Sequence, residues 1–537
     1  LLLAGFNELS EDESYYHMWS ERLDWSYYSK GPGIALLMKF STAIFGHSEI
    51  GVRFFSPILA LGSSLLIFRM GRSLFDVRTA SWAVLILNLT PIFNAGSVLM
   101  TIDPLSVFFW IAAMYAFWKA LHRAASFNVW WPVTGMLIGI GFLAKYTNAM
   151  LLLSIVLLLV VSRRWRGQLR RPGLYVMLGC FLIWTTPVLV WNAQNDWITV
   201  THLAERGNLD ESSSMGMNPG EFLEYVVGHL GVYSPLIFIG LIWALVMATR
   251  RFFKDEHQAF LVAFSLPIVV MYFLLSFNEA GELNWTAPGF IPVGLLLAFH
   301  WKELSKISPR LKSGLEWTAI LMAIGMCLMA VNSDLVRRTG VIWSYGVDKT
   351  MPRKTAGEAI KQPQYWMENV GDYTARLRSW KSTASEVGHI IEAFTAETGK
   401  PVFLISNRYQ TGAAIGHYFP EGLKIIRPTK DYPPIHSLES QIVENQFSFW
   451  PGYDTVERRE MQELPGIGDS ILVEESAFLG ADALYITDEM LRLTPPPVIK
   501  QTFEDWSVVA VFDVLRRGQF VWRIRVFSCV NYIGRDV

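Results

Sequence analysis

Apolar runs dominate this sequence and restrict what it can fold into. They lie at about residues 50–68, 80–99, 104–121, 129–144, 147–162, 173–191, 222–248, 258–277, 284–300 and 314–332. Most approach the roughly 20 residues that a helix needs to cross a bilayer core. A chain that is 52% hydrophobic and 17% charged also falls below the roughly 25% charge typical of soluble domains. The expected class is a multispan α-helical membrane protein.

The segments between the runs alternate in charge. One set reads "RMGRSLFDVR", "KALHR", "SRRWRGQLRR", "TRRFFK" and "WKELSKISPRLK"; the other reads "NELSEDESYY", "LMTIDP", "NAQNDWITVTHLAERGNLDESSS" and "NEAGEL". By the positive-inside rule the basic set faces the cytoplasm and the acidic set the opposite side. Both flanks of residues 129–162 are basic, so an even number of crossings is needed there. Two short helices meeting near Lys145, at a non-cytoplasmic turn, satisfy this. The opening "LLLAGF" reads as the end of a first span that begins before residue 1, with a signal-peptide remnant as the alternative. Together these give about eleven transmembrane helices, the first truncated.

Hydropathy falls after residue 332, and "NSDLVRR" leaves the chain on the acidic side. Residues 333–537 therefore read as an extracytoplasmic α/β domain following a membrane domain over 1–332. Residues 7–48 would form interfacial helices in the membrane domain's first loop. In the second domain "PVFLIS" (401–406), "LKIIRP" (423–428) and "DALYITDE" (482–489) read as strands, and "SEVGHIIEAFTAETGK" as a helix ending near Gly399. "WSVVAVFDVLRRGQFVWRIRVF" reads as a hairpin turning at Arg517–Gly518. Cys180, Cys327 and Cys529 are far apart and form no metal or disulfide pattern. The net charge of −1 gives no reason to expect a nucleic-acid partner.

Several polar residues stand where such a chain has little reason to place them. In "SEDESYYHMW" Ser10 and Glu13 fit a capping box. Asp12 shares a helical face with Tyr15, Tyr16, Trp19 and Leu23, which carries a carboxylate towards the membrane side, where it is costly unless paired or functional. Glu11 reads as a solvated first-turn charge. Lys30 follows the pair Tyr27–Tyr28 and precedes a Gly-Pro-Gly turn; it is either a snorkelling interfacial lysine or a cation for a lipid phosphate. Asp103 in "MTIDPLSVFFW" reads as an N-cap with Pro104 at the first helical position, yet its loop lies on the same side as Asp12. Arg53, Arg206 and Trp285 fit interfacial anchoring as well as ligand binding. His17, His229 and His417 are isolated and are assigned no metal.

"SEDESYYHMWSERLDWSYYSKGPGIALL", "GHSEIGVRFFSPILA", "MTIDPLSVFFW" and "GFLAKYTNAMLL" resemble the family-39 type of GT-C glycosyltransferases, which includes protein O-mannosyltransferases and the bacterial aminoarabinose transferases of lipid A. "PVLVWNAQNDW", "LNWTAPGF", "LRSWKSTASEVG", "PVFLISNRYQTGAAIGHYFP" and "NQFSFWPG" are similar to its bacterial branch. The resemblance implies a multi-pass inner-membrane enzyme that inverts the sugar of a polyprenyl-phosphate donor as it passes to an acceptor glycolipid, glycan or protein outside the cytoplasm. Asp12, Glu13 and Asp103 match its acids, with Asp12 as general base. Lys30, Lys145 and Arg53 are the candidates for the donor phosphate, and Tyr28, Trp285 and Arg206 for the substrates. The aminoarabinose transferases carry an acid before the lysine and Pro after it, where this chain has Ser29 and Gly31. A divalent cation is left open by that change, and no other cofactor is implied. A lipid-linked-sugar transporter or flippase is the alternative, and a structural assembly factor a third reading.

Overall fold

Capping residues and prolines decide where the helices of the first 331 residues start and stop. The computed structural model describes residues 5, 7–123, 127–206, 218–303, 309–331, 347–348, 364–365, 377, 379–438, 445–463, 470–489, 492–516 and 519–534. Ser10 opens α1 (Glu11–Glu21) with the expected capping box: Ser10 Oγ accepts the Glu13 N–H at 3.2 Å, and Glu13 accepts the Ser10 N–H at 2.9 Å. Next come α2 (Gly33–Phe45), α3 (Glu49–Arg53), α4 (Phe55–Leu74), α5 (Val77–Asn88), α6 (Pro91–Gly96) and α7 (Ile102–Leu121). α8 (Trp130–Ala144) and α9 (Met150–Val161) meet through Lys145 and the 3-10 turn Tyr146–Ala149, the break expected from the charge pattern. α10 (Pro172–Gln194), α11 (Ile198–Arg206), α12 (Pro219–Tyr233), α13 (Pro235–Arg250), α14 (Glu256–Ala263), α15 (Leu266–Leu275), α16 (Ala287–Glu303) and α17 (Pro309–Val331) complete the bundle.

Four helical stretches among the described residues are long and apolar enough to cross a membrane: Glu49–Leu74, Ile102–Leu121, Pro172–Gln194 and Glu256–Leu275. The expected span over 222–248 is broken into two helices, α12 and α13, bent by 108°, which pass together as one apolar stretch. Ser234 between them has φ 67°, and Pro235 has no N–H to continue the helix. The expected span over 80–99 is interrupted at Thr90, which is extended, with Pro91 opening α6. The bundle core is aromatic and aliphatic: Trp110, Phe117 and Trp118 of α7 pack with Phe260 and Phe264 at α14 and with Leu295 and Leu296 of α16.

Contacts divide the chain into two units, one of Leu1–Gly5 and Leu23–Val331, the other of Phe6–Arg22 and Asn332–Val537. The sequence reading keeps residues 7–48 with the bundle, whereas the contacts group α1 with the C-terminal unit. The reason is packing: Tyr15 of α1 lies tilted against Tyr409 and parallel to Phe447.

In the C-terminal unit β1 (Val347–Asp348) and β2 (Gln364–Tyr365) pair, and α18 (Trp380–Thr398) ends on Gly399. Gly399 has φ 71°, a left-handed conformation that glycine adopts without strain. β3 (Val402–Ser406), α19 (Tyr409–His417), β4 (His436–Ser437), β5 (Val456–Glu463), β6 (Ser470–Ser476), β7 (Asp482–Thr487), α20 (Pro497–Thr502), β8 (Phe503–Arg516) and β9 (Gln519–Tyr532) follow. The main sheet has the order β4-β3-β7-β9-β8, parallel across β4-β3-β7 and antiparallel beyond. β3 is buried along its whole length because both faces are covered. Val402 and Leu404 meet Trp380 and Val387 of α18, while Phe403 and Ile405 enter an aromatic layer with Tyr432, Tyr453 and Phe478. "LKIIRP" forms no strand; it gives one bridge, Ile425 to Val402, and β4 takes the edge. The expected turn at Arg517–Gly518 lies outside the described residues. All three cysteines are free thiols.

His436 of β4 is buried in that aromatic layer, and its Nδ1 has no partner among the described residues. Burial, with the Arg427 charge second, holds its pKa down to about 3, against an ordinary 6.5. Between those values the unfolded chain binds a proton that the folded chain refuses, so stability falls as pH falls. At pH 5 the loss is about 2 kcal/mol. His436→Leu is expected to flatten this slope, measured by thermal unfolding of the C-terminal unit at pH 7 and pH 5. An unchanged slope would show that His436 is not its source.

Candidate active site

Asp103, at the start of α7, is held by the side chains of Thr101, Lys145 and Asn284. Thr101 takes the N-cap of α7 that the sequence reading gives to Asp103: Thr101 Oγ1 accepts the Asp103 N–H at 3.4 Å. Asp103 is thus the second residue of the helix, where its charge also suits the helix dipole. Its Oδ1 accepts from Lys145 Nζ at 2.7 Å and its Oδ2 from Asn284 Nδ2 at 2.6 Å. The Lys145 side chain is 6% exposed and that of Asp103 19%. A pair so withdrawn from water is costly to maintain by itself. One turn further along, Ser106 Oγ donates to Asn148 Oδ1 at 2.5 Å, and Asn148 Nδ2 returns a bond to the Ser106 carbonyl at 3.1 Å.

Three separate elements build this site. α7 brings Asp103, the α8–α9 break brings Lys145, and the 3-10 turn Leu283–Thr286 brings Asn284. That last turn is fastened by His229, which is fully buried. His229 Nδ1–H donates to the Tyr225 carbonyl at 2.7 Å, leaving Nε2 to accept from Thr286 Oγ1 at 2.7 Å. Sequence reasoning missed Asn284 and left His229 isolated. The quoted motif "LNWTAPGF" contains Asn284, but the larger signal in it is the neighbouring Trp285, which packs on Tyr272 at 5.4 Å.

The turn holding Lys30 lies against the turn holding Lys145. The Tyr27 N–H donates to the Lys30 carbonyl at 3.0 Å, and Ser26 Oγ lies 3.1 Å from the Tyr146 hydroxyl. A Cβ on Gly31 would fall 2.4 Å from the Leu143 carbonyl oxygen. Backbone cannot yield there, which explains why glycine suits this position. Gly31→Ala is expected to push the Lys30 turn off α8 and to lower the melting temperature by several degrees, on the order of 1–3 kcal/mol. An unshifted melting curve would refute the close approach.

The remaining expected site residues are placed as follows. Asp12 is exposed in the first turn of α1, whereas Glu13 is fully buried in its capping role. Arg53 is fully buried at the end of α3. Tyr28 is buried, its ring 4.6 Å from that of His202. Arg206 ends α11, and its side chain lies outside the described residues. His17 and His417, expected to be isolated, face each other with Nδ1 atoms 3.3 Å apart. Both oxygens of Asp103 accept from cationic or amide donors, and Ser29 is no carboxylate. This constellation does not fit a divalent cation. Nearby, Leu23, Trp25, Pro32, Leu36, Leu143, Ile183, Trp184 and Pro187 line an open apolar groove of about 560 Å³, and Asp24 adds one carboxylate. Asp24 Oδ2 accepts from Trp191 Nε1 at 2.9 Å.

Residues 29–191, which carry Lys30, Arg53, Asp103 and Lys145, match the dolichyl-phosphate-mannose-protein mannosyltransferase family. The fold is similar to that of ArnT from Cupriavidus metallidurans, solved bound to undecaprenyl phosphate. That likeness has a TM-score of 0.57 at 14% identity, over 98% of this chain and 95% of the other. Curated proteins similar to this chain include the lipid A galacturonosyltransferase RgtD of Rhizobium johnstonii, 26% identical over 53% of this chain and 59% of that protein. Another is the undecaprenyl phosphate-alpha-4-amino-4-deoxy-L-arabinose arabinosyl transferase of Pseudomonas aeruginosa, 24% identical over 50% of this chain and 49% of that protein. The chain thus spans about half the length of the curated relatives it matches.

Proposed function

We propose that this chain is an inverting glycosyltransferase that moves a sugar from a polyprenyl-phosphate donor to an acceptor on the extracytoplasmic side of the membrane. The observation that carries the reading is the ion pair of buried Lys145 with half-buried Asp103, held by Asn284 at the ends of apolar helices. A lipid-borne phosphate resides at that kind of boundary, and Lys145 offers it a charge-assisted partner. The neighbouring groove suits the donor's hydrocarbon chain.

The reaction follows from the groups. The acceptor oxygen attacks the anomeric carbon opposite the phosphate, a new C–O bond forms, and the sugar–phosphate bond breaks with its electron pair going to phosphate. The configuration inverts. Asp12 takes the proton of an acceptor hydroxyl. Lys145, with Lys30, steadies the negative charge gathering on the departing polyprenyl phosphate. Asp103 holds Lys145 in place and, through Asn284, ties it to the α12–α16 side of the bundle.

Lipid A, protein and other glycans are the acceptors to compare. The 108° break between α12 and α13 is the feature that favours the runner-up, a flippase or transporter, since broken helices recur at transport sites. Reconstituted protein supplied with a panel of radiolabelled polyprenyl-phosphate sugars separates the two. Transfer of label with release of polyprenyl phosphate is expected. Movement of intact donor across the bilayer without cleavage would overturn the transferase reading.

A further inference from the structure

α1 lies at the opposite end of the chain from the unit that holds it. Its first contact precedes the helix: the Leu9 N–H donates to the Tyr418 hydroxyl at 2.6 Å, and Glu8 Oε2 accepts the Trp380 N–H at 2.5 Å, capping α18. Its last contact follows it: Arg22 donates to the carbonyls of Asp431 and Tyr432 at 3.1 and 3.0 Å. Between them stands Tyr15, only 5% exposed. Its hydroxyl accepts the Gln446 N–H at 2.7 Å, and its ring lies 4.5 Å from Tyr409 and parallel to Phe447 at 6.1 Å. Asp12 sits one turn before Tyr15 and is exposed. A helix of eleven residues is marginal in isolation, so its conformation depends on what grips it.

We propose that Tyr15 is a positioning residue of the transferase: it locks α1 onto the C-terminal unit and thereby fixes the direction of the Asp12 carboxylate. The C-terminal unit then serves the reaction by holding a helix from the first loop. Burial raises the Tyr15 pKa well above its ordinary value, so the lock stays neutral at working pH. The inference rests on the proposed role of Asp12.

The full chain in lipid, as parent, Tyr15→Phe, Tyr15→Ala and Asp12→Asn, provides the test. Tyr15→Phe keeps the ring contacts and is expected to retain kcat within a few-fold. Tyr15→Ala is expected to lower kcat at least tenfold with donor KM within about twofold. Amide exchange should quicken over residues 11–21 while β8 and β9 stay protected. Parent-like kcat in Tyr15→Ala overturns the proposal, as does a fall in kcat with exchange over 11–21 unchanged. Protection lost from β8 and β9 as well overturns it in favour of a general structural role. Full activity in Asp12→Asn instead removes the underlying reading, while an inactive Asp12→Asn beside an active Tyr15→Ala removes only the lock.

Discussion

Replacing Lys145 by Met is expected to abolish sugar transfer and to cost about 3–5 kcal/mol of stability. The stability loss comes from Asp103, whose part-buried carboxylate would lose its cation and be left with the Asn284 amide and the Thr101 hydroxyl as side-chain donors. The double variant Asp103→Asn/Lys145→Met carries no charge, and the amide that replaces the Asp103 carboxylate can still pair with Asn284. It should therefore recover most of the lost stability. It should not recover activity, because the cation proposed for the leaving phosphate is gone. Thermal unfolding and transfer assays on the single and double variants check both halves. A double variant that is both stable and active would reduce the pair to a structural fastener.

The bundle was legible because lipid and charge write long-period signals into the sequence. The α8–α9 break at Lys145 followed from two basic flanks alone. The break at Ser234 did not, because one serine with φ 67° before a proline leaves the hydropathy of 222–248 unchanged. In the C-terminal unit β3 was legible from its apolar run. "LKIIRP" looked similar but ends at Pro428, and the edge went to a two-residue strand too short to leave a pattern. The site followed the same division. Asp103 and Lys145 stood out as charges in apolar surroundings. Asn284 and His229 did not, because their roles depend on contacts across 181 and 57 residues. The grouping of α1 with residues beyond 400 was likewise hidden: its aromatic face reads equally well as packing on lipid or on protein.

Asp12→Asn is expected to lower kcat for a hydroxyl acceptor by about 10²–10⁴-fold, with little change in folding, since the side chain is exposed. Its neighbour provides the contrast. Glu13 is fully buried and closes the capping box. Glu13→Gln keeps an acceptor for the Ser10 N–H, while Glu13→Ala gives up the box at about 1 kcal/mol. If Glu13 only caps, both variants retain kcat wherever α1 stays folded, and the two adjacent acids separate into one that reacts and one that holds. The acceptor sharpens the test further. A hydroxyl must lose its proton as the new bond forms, whereas a phosphate is already ionised at neutral pH and has little use for a base. Asp12→Asn should therefore cripple transfer to a hydroxyl and leave transfer to a phosphate nearly intact. Unimpaired transfer to a hydroxyl acceptor would end the general-base assignment. Equal losses with both acceptors would move Asp12 from proton transfer to substrate placement.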